Sequence, residues 1–229
     1  MICDTIRMKN TPDLQPVLGL LRTLKTHNER AWFQAHKAEY VVAQKRFETY
    51  VAILIGELSR TEPLLGVSPK DCVFRIYRDV RFSKDKSPYK TYMGAYIAPG
   101  GRKSRRLGLY VHLEPGNRSL FGGGLHEADP KQIAAWRAAI DKNPAPFLKI
   151  AGAKDFKKMF GTVDGERLKT APRGYGKDHP RLDLIQLKSV VVTRTLTDAE
   201  VLSPRFVAES LRTFQVMRPF LRYLEGITK

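Results

Sequence analysis

The 229-residue chain carries 40 lysines and arginines against 23 acidic residues, a net charge of +17, with 42% apolar and 28% charged residues. That balance excludes an intrinsically disordered or low-complexity chain and supplies core enough for one sizeable domain or two small ones. No apolar run approaches the ~18 residues of a bilayer span. The opening MICDTIRMKN lacks the apolar region of a secretory leader, and Cys3 and Cys72 have no CxxC spacing, so neither a disulfide framework nor a thiolate metal cage is expected and the setting expected is a reducing cytoplasm.

The first third has the periodicity of helices. Leu14, Val17, Leu18, Leu21 and Leu24 recur at helical spacing, with Thr11 or Asp13 placed to cap the start. A second helix is expected from Asn28 as cap to about Arg60, with a stripe that includes Trp32, Phe33, Phe47, Val51 and Leu54 and with His36 on its surface. A loop holding Pro63, Gly66 and Pro69 follows. The middle reads as strands. Phe74, Ile76, Val80 and Phe82 share one parity; Arg75, Tyr77, Asp79 and Arg81 share the other. Residues 92–98, 107–113 and 118–125 give further strands, and in the second of these Tyr110 and His112 oppose Leu109, Val111 and Leu113. The short turns between them favour an antiparallel meander.

The last third returns to helix. Asp129-Pro130 opens one segment, residues 147–160 another weakened by Gly152, and Ser203-Pro204 a terminal helix with Pro219 expected to kink it. Ser189–Leu196 reads as a strand of Val and Thr, and Thr197 with Glu200 forms a capping box. The expectation is a single α+β domain over residues 1–229, a mainly antiparallel sheet flanked by N- and C-terminal helices.

The positive charge is clustered: Arg75 to Arg106 holds ten basic and two acidic residues, +8 of the +17. On a strand, Arg75, Asp79 and Arg81 would stand in a row on one face, with an ionised Asp79 holding the guanidinium planes and excess positive charge left for a carboxylate or phosphate. The competing reading is a structural ion-pair ladder. Lys84, Asp85, Lys86, Tyr89 and Lys90 follow in a polar loop. In the stretch LFGGGLHEADP, three glycines (Gly122, Gly123, Gly124) weaken a strand, which makes sense where a ligand or another backbone approaches, or at a bend. No Gly-Lys-Ser/Thr follows, so this is not a phosphate-binding P-loop. His112, His126 and His179 lie scattered over nearly seventy residues, poor spacing for a metal, and no metal or cofactor is indicated. No nucleophile motif appears, so enzymatic chemistry has no sequence signature.

RDVRFSKDKSPYKT (78–91) resembles a family of conserved hypothetical proteins catalogued as domain of unknown function twenty-four sixty-one. The likeness extends to NERAWFQAHKAEY, to GLYVHLEPGNRSLFGGGLHEADPKQIAAWRAAI and to LKTAPRGYGKDHP, in order over most of the chain. The resemblance implies an intact domain with functional weight on those motifs, and no activity, substrate or cofactor.

The leading expectation is therefore a site for a phosphate- or carboxylate-bearing ligand. Arg75, Arg78, Arg81, Lys84, Lys86 and Lys90 would supply cationic donors, Asp79 and Asp85 would orient them, Tyr89, Tyr110 and Tyr175 would stack or hydrogen-bond, and Gly122–Gly124 would leave room. His126 or His179 would serve if acid–base chemistry occurs. The alternatives are a non-enzymatic nucleic-acid binder, drawn from the charge and its interleaved aromatics, and a structural or partner-binding protein whose ion pairs only hold the fold. Oligomeric state and pathway have no sequence signal.

Overall fold

A computed structural model describes residues 11–228; the opening MICDTIRMKN, with Cys3, and Lys229 lie outside the described residues. The chain runs α1 (Gln15–Thr26), α2 (Arg30–Ala35), α3 (Lys37–Leu58), α4 (Pro69–Cys72), β1 (Met93–Ile97), a 3-10 turn (Gly101–Lys103), β2 (Leu109–Leu113) and β3 (Ser119–Leu125). It continues through α5 (Pro130–Lys142), α6 (Ala145–Gly152), α7 (Lys154–Phe160), α8 (Leu182–Ile185), β4 (Val190–Leu196), α9 (Asp198–Val201) and α10 (Phe206–Ile227). The strands form one antiparallel sheet in the order β1-β2-β3-β4. The fold class is α+β, as the alternating strand patterns between helical flanks imply.

The described residues gather in two compact units. The first holds the chain up to Arg105, Leu109–Phe121 and Thr195–Arg212; the second holds Arg106–Gly108, Gly122–Arg194 and the chain from Thr213 onward.

In the first unit, the leucines of α1 bury one face together with Phe47, Tyr50 and Leu54 of α3. Tyr50 stacks on Phe206 at 5.1 Å between ring centres, Phe206 in turn on Phe121 at 5.4 Å, and the buried Tyr50 hydroxyl meets Ser210 Oγ at 2.7 Å. That partner matters, because a buried unpaired hydroxyl costs on the order of 1–3 kcal/mol. The caps differ from the sequence expectation. Thr11 accepts from Val207 N and so serves the start of α10, while Asp13 Oδ1 accepts from Gln15 N. The expected long helix from Asn28 to Arg60 is broken at His36, whose ring stacks on Trp32 at 4.0 Å and whose Nδ1 lies 2.8 Å from the Trp32 carbonyl oxygen. In β2, Leu109, Val111 and Leu113 are buried and Tyr110 and His112 half-buried, as their alternation requires; His112 pairs with Gly94 of β1. The turn after β2 places Gly116 and Asn117 at positive φ, and both their N–H groups donate to the Asp198 carboxylate at the head of α9.

In the second unit, Trp136 of α5 packs edge-on against Phe147 and donates its indole N–H to the Leu184 carbonyl at 3.0 Å. Arg137 donates to the Ile185 and Leu187 carbonyls, tying α5 to α8. The helix expected over 147–160 divides at Ala153 into α6 and α7. α10 runs through Pro219. A capping box of Asp129 with Gln132 starts α5; in the first unit the expected Thr197–Glu200 box is formed, and Ser68 with Asp71 makes another at α4.

Candidate functional site

Residues 74–82 do not make the expected strand. Two isolated bridges, Val73 with Ala95 and Tyr77 with Tyr89, and hydrogen bonds Arg78 N to Pro88 O and Lys90 N to Ile76 O hold an irregular hairpin between α4 and β1. Local side-chain bonds compete with the ladder. Asp79 Oδ1 accepts from Arg81 N, bending the chain into a turn at Arg81-Phe82, and Asp85 Oδ1 accepts from Ser87 N and Oγ. Pro88 brings no N–H donor to the opposite limb. The parity argument fails with the strand: Arg75, Asp79 and Arg81 are not a row on a sheet face.

The charges instead pair within the loop. Arg81 binds Asp79 bidentately, Nε to Oδ1 at 3.0 Å and Nη2 to Oδ2 at 2.7 Å. Arg78 clasps Asp85 across the loop and reaches Ser83 Oγ at 3.3 Å. Lys86 Nζ donates to the Val80 carbonyl at 3.0 Å. The Arg81 hydrogen bonds hold the Asp79 carboxyl down at about 2. Asp85 falls to about 2 as well, through the Ser87 hydroxyl and N–H first and Arg78 after them. Both acids are therefore ionised at any ordinary pH.

Behind the loop lies an open cleft of about 620 Å³. Its walls include Arg78, Asp79, Asp85, Tyr89 and Lys90, which brings five of the sequence candidates together. Lys25, from the last turn of α1, Asn28, Ser87, Thr91 and Tyr92 complete it. Since Asp85 is matched by Arg78 and Asp79 by Arg81, the uncompensated positive charge of the lining comes from Lys25 and Lys90. Lys90 Nζ donates to the Arg75 carbonyl at 2.9 Å and stands over the Phe74 and Tyr92 rings at 5.6 and 5.7 Å. Partial burial, with Arg75 adding, lowers its pKa from the ordinary lysine value. Asn28 positions the floor: its amide donates to Tyr89 O at 2.9 Å and accepts from Tyr89 N at 3.0 Å, as a neighbouring strand would. The Tyr89 ring is buried face-on against Phe33 at 4.0 Å, so its role is to anchor the loop. Arg75 lines a separate, smaller cleft of about 230 Å³ with Lys70 and Arg102.

Lys25 carries no motif and lies more than fifty residues before Arg78, so sequence reading offered no signal for it; Asn28 opens the NERAWFQAHKAEY stretch but reads there as a helix cap, with nothing to tie it to the loop. His112 entered that reading only as a poorly spaced metal candidate, not as a neighbour of the cleft. Tyr92, on the cleft wall, stacks on the His112 ring at 4.2 Å. His112 Nε2 lies 3.0 Å from Glu114 Oε2 and Nδ1 lies 3.1 Å from the Tyr110 hydroxyl, while Arg118 pairs with the same Glu114. Burial, and then Arg118, push the imidazole down to about 4. Although the pair with Glu114 has the geometry of an ion pair, Arg118 already meets the Glu114 charge, and the ring is neutral. A neutral ring has one N–H, so Nε2 donates to the carboxylate and Nδ1 accepts from Tyr110. Tyr110 is held by this chain and is not among the cleft-lining residues.

Apart from Lys84, the remaining candidates lie in the second unit. A Cβ on Gly123 would fall 2.3 Å from Met217 Sδ and 2.9 Å from Gly108 O; one on Gly124, which has φ +125°, would fall 2.2 Å from Val190 O. The close approach these glycines allow is that of α10 and β4. Gly122 is buried on the same strand. His179 has both ring nitrogens engaged, with Asp141 at 3.2 Å and Arg181 N at 3.0 Å, and Tyr175 edge-on at 6.0 Å. His126 is exposed at the end of β3, and Lys84 is exposed on the loop of the first unit. Among the described residues, no group of three His, Cys, Asp or Glu is placed to hold a metal ion, and no helix is long and apolar enough to cross a membrane.

No curated protein and no solved structure is detectably similar to the chain. A family model does match it, over residues 17–223, which takes in most of α1, the charged loop, the whole sheet and most of α10. The chain thus belongs to the conserved hypothetical protein family DUF2461.

Proposed function

We propose that the chain binds a small phosphate- or carboxylate-bearing ligand in the cleft behind residues 78–90. The observation that carries this reading is the pair of cations, Lys25 and Lys90, set on one cleft whose other charges cancel in pairs, with the hydroxyls of Ser87, Thr91 and Tyr92 beside them. Charge-assisted hydrogen bonds from an ammonium group to an oxyanion contribute roughly 1.5–3 kcal/mol each. Arg78 and Arg81, bound to Asp85 and Asp79, keep the loop in shape and are not the principal donors in this reading.

Calorimetric titration with inorganic phosphate, and with a dicarboxylate as the carboxylate probe, tests it. Lys90→Met is expected to weaken binding about ten-fold or more. Equal affinity in wild type and variant, with the fold intact by circular dichroism, would remove the cleft as the site.

A further inference from the structure

Phe82 is 96% exposed at the tip of the charged loop. A ring in water adds nothing to folding by burial, and a polar residue there would serve the loop as well. Several polar groups around it are nonetheless tied down. Arg81 is held bidentately by Asp79, and its guanidinium stands 5.9 Å from the Phe82 ring centre, ordering one side of the ring. Ser83 N donates to Val80 O, Lys86 Nζ donates to the same carbonyl, and Arg78 binds both Ser83 and Asp85. The limbs of this loop, through Arg78, Asp79 and Asp85, are the cleft wall itself. The molecule therefore presents an exposed aromatic ring at the tip of the loop whose limbs line the basic cleft, with Lys84 and Lys86 in the same loop.

We propose that the ligand is a nucleotide unit of single-stranded nucleic acid, its base stacked on Phe82 and its phosphate held by Lys25 and Lys90 in the cleft. This rests on the anion-site reading above and names the ligand class for it. One ring beside a phosphate site matches the base-plus-phosphate repeat of a nucleic acid strand, in which stacking on aromatic side chains adds to backbone contacts. A lipid surface fits less well: insertion calls for several apolar side chains together, and the neighbours of Phe82 are Arg81, Ser83 and Lys84.

The test uses the full chain, a fluorescent oligothymidylate and inorganic phosphate. Phe82→Ala is expected to weaken oligonucleotide binding about ten-fold, the usual loss for one stacked base, and to leave phosphate affinity unchanged. Phe82→Trp restores the oligonucleotide affinity. Leu65→Ala, at an equally exposed apolar side chain (101%), changes neither. Phosphate binding with an oligonucleotide affinity indifferent to Phe82→Ala overturns the stacking inference alone. Phe82-dependent binding to phosphatidylserine vesicles without oligonucleotide binding overturns it in favour of a membrane surface. Absence of phosphate binding, with oligonucleotide binding insensitive to Lys90→Met, overturns the anion site itself.

Discussion

The His112 imidazole has one proton to give and two partners to satisfy, and it does so neutral: N–H to Glu114, lone pair to Tyr110. Its folded pKa of about 4 lies below the ordinary 6.5, so the unfolded chain binds the extra proton first. Stability should be complete above pH 6.5 and fall as the pH drops from 6.5 through 4, by about 2 kcal/mol once partial solvation is allowed for. Chemical denaturation at several pH values checks this: His112→Gln should flatten the slope between pH 6.5 and 4, and an unchanged slope would show that His112 does not titrate as described. Asp79 and Asp85, at about 2, act in a separate window, their stabilisation being lost as the pH falls from 3.8 through 2. At Gly123 the prediction is steric. Gly123→Ala should destabilise by roughly 1–3 kcal/mol, because Met217 Sδ and the Gly108 carbonyl occupy the space of the new methyl; thermal unfolding reads it. That a glycine run marks a close approach was legible in the residues. Which body approaches was not, since Met217 lies almost a hundred residues along the chain.

At the scale of elements, legibility followed range. The Thr197–Glu200 box could be read because donor and acceptor sit three residues apart, and the start of α5 because Asp129 and Pro130 are adjacent; Thr197→Ala should cost about 1 kcal/mol in thermal stability. The β2 strand could be read because Leu109, Val111 and Leu113 alternate against a core. The charged segment could not. Its parity was strand-like, yet Asp79 and Asp85 each bind N–H groups two residues ahead, which turns the chain locally and overrides an extended ladder. The cap roles of Thr11 and Asn28 were misplaced for a similar reason: the side chains were suited to capping, but their partners, Val207 N and the Tyr89 backbone, are remote in sequence. Asn28→Ala should release one limb of the loop, and faster amide exchange at Tyr89 with little loss of global stability is the expected outcome. Unchanged exchange at Tyr89 would show that the side-chain clamp does not limit loop opening.

For the whole molecule, +17 invites any polyanion, and the account stands or falls on whether binding is diffuse or built. A diffuse field weakens steeply with salt over a Debye length of about 8–10 Å, whereas a cleft with two paired-off acids and two remaining cations retains local recognition. The α+β fold was readable from the alternation of helical and strand patterns. The cleft was half readable: its loop stood out by composition, while Lys25 and Asn28 joined it only through folding. The most direct measurement is the amide spectrum of the labelled protein during a titration with inorganic phosphate at physiological ionic strength. The account predicts shifts concentrated at residues 25–28 and 85–92, saturating together. Small shifts scattered over the basic surface, or none at those residues, would contradict it.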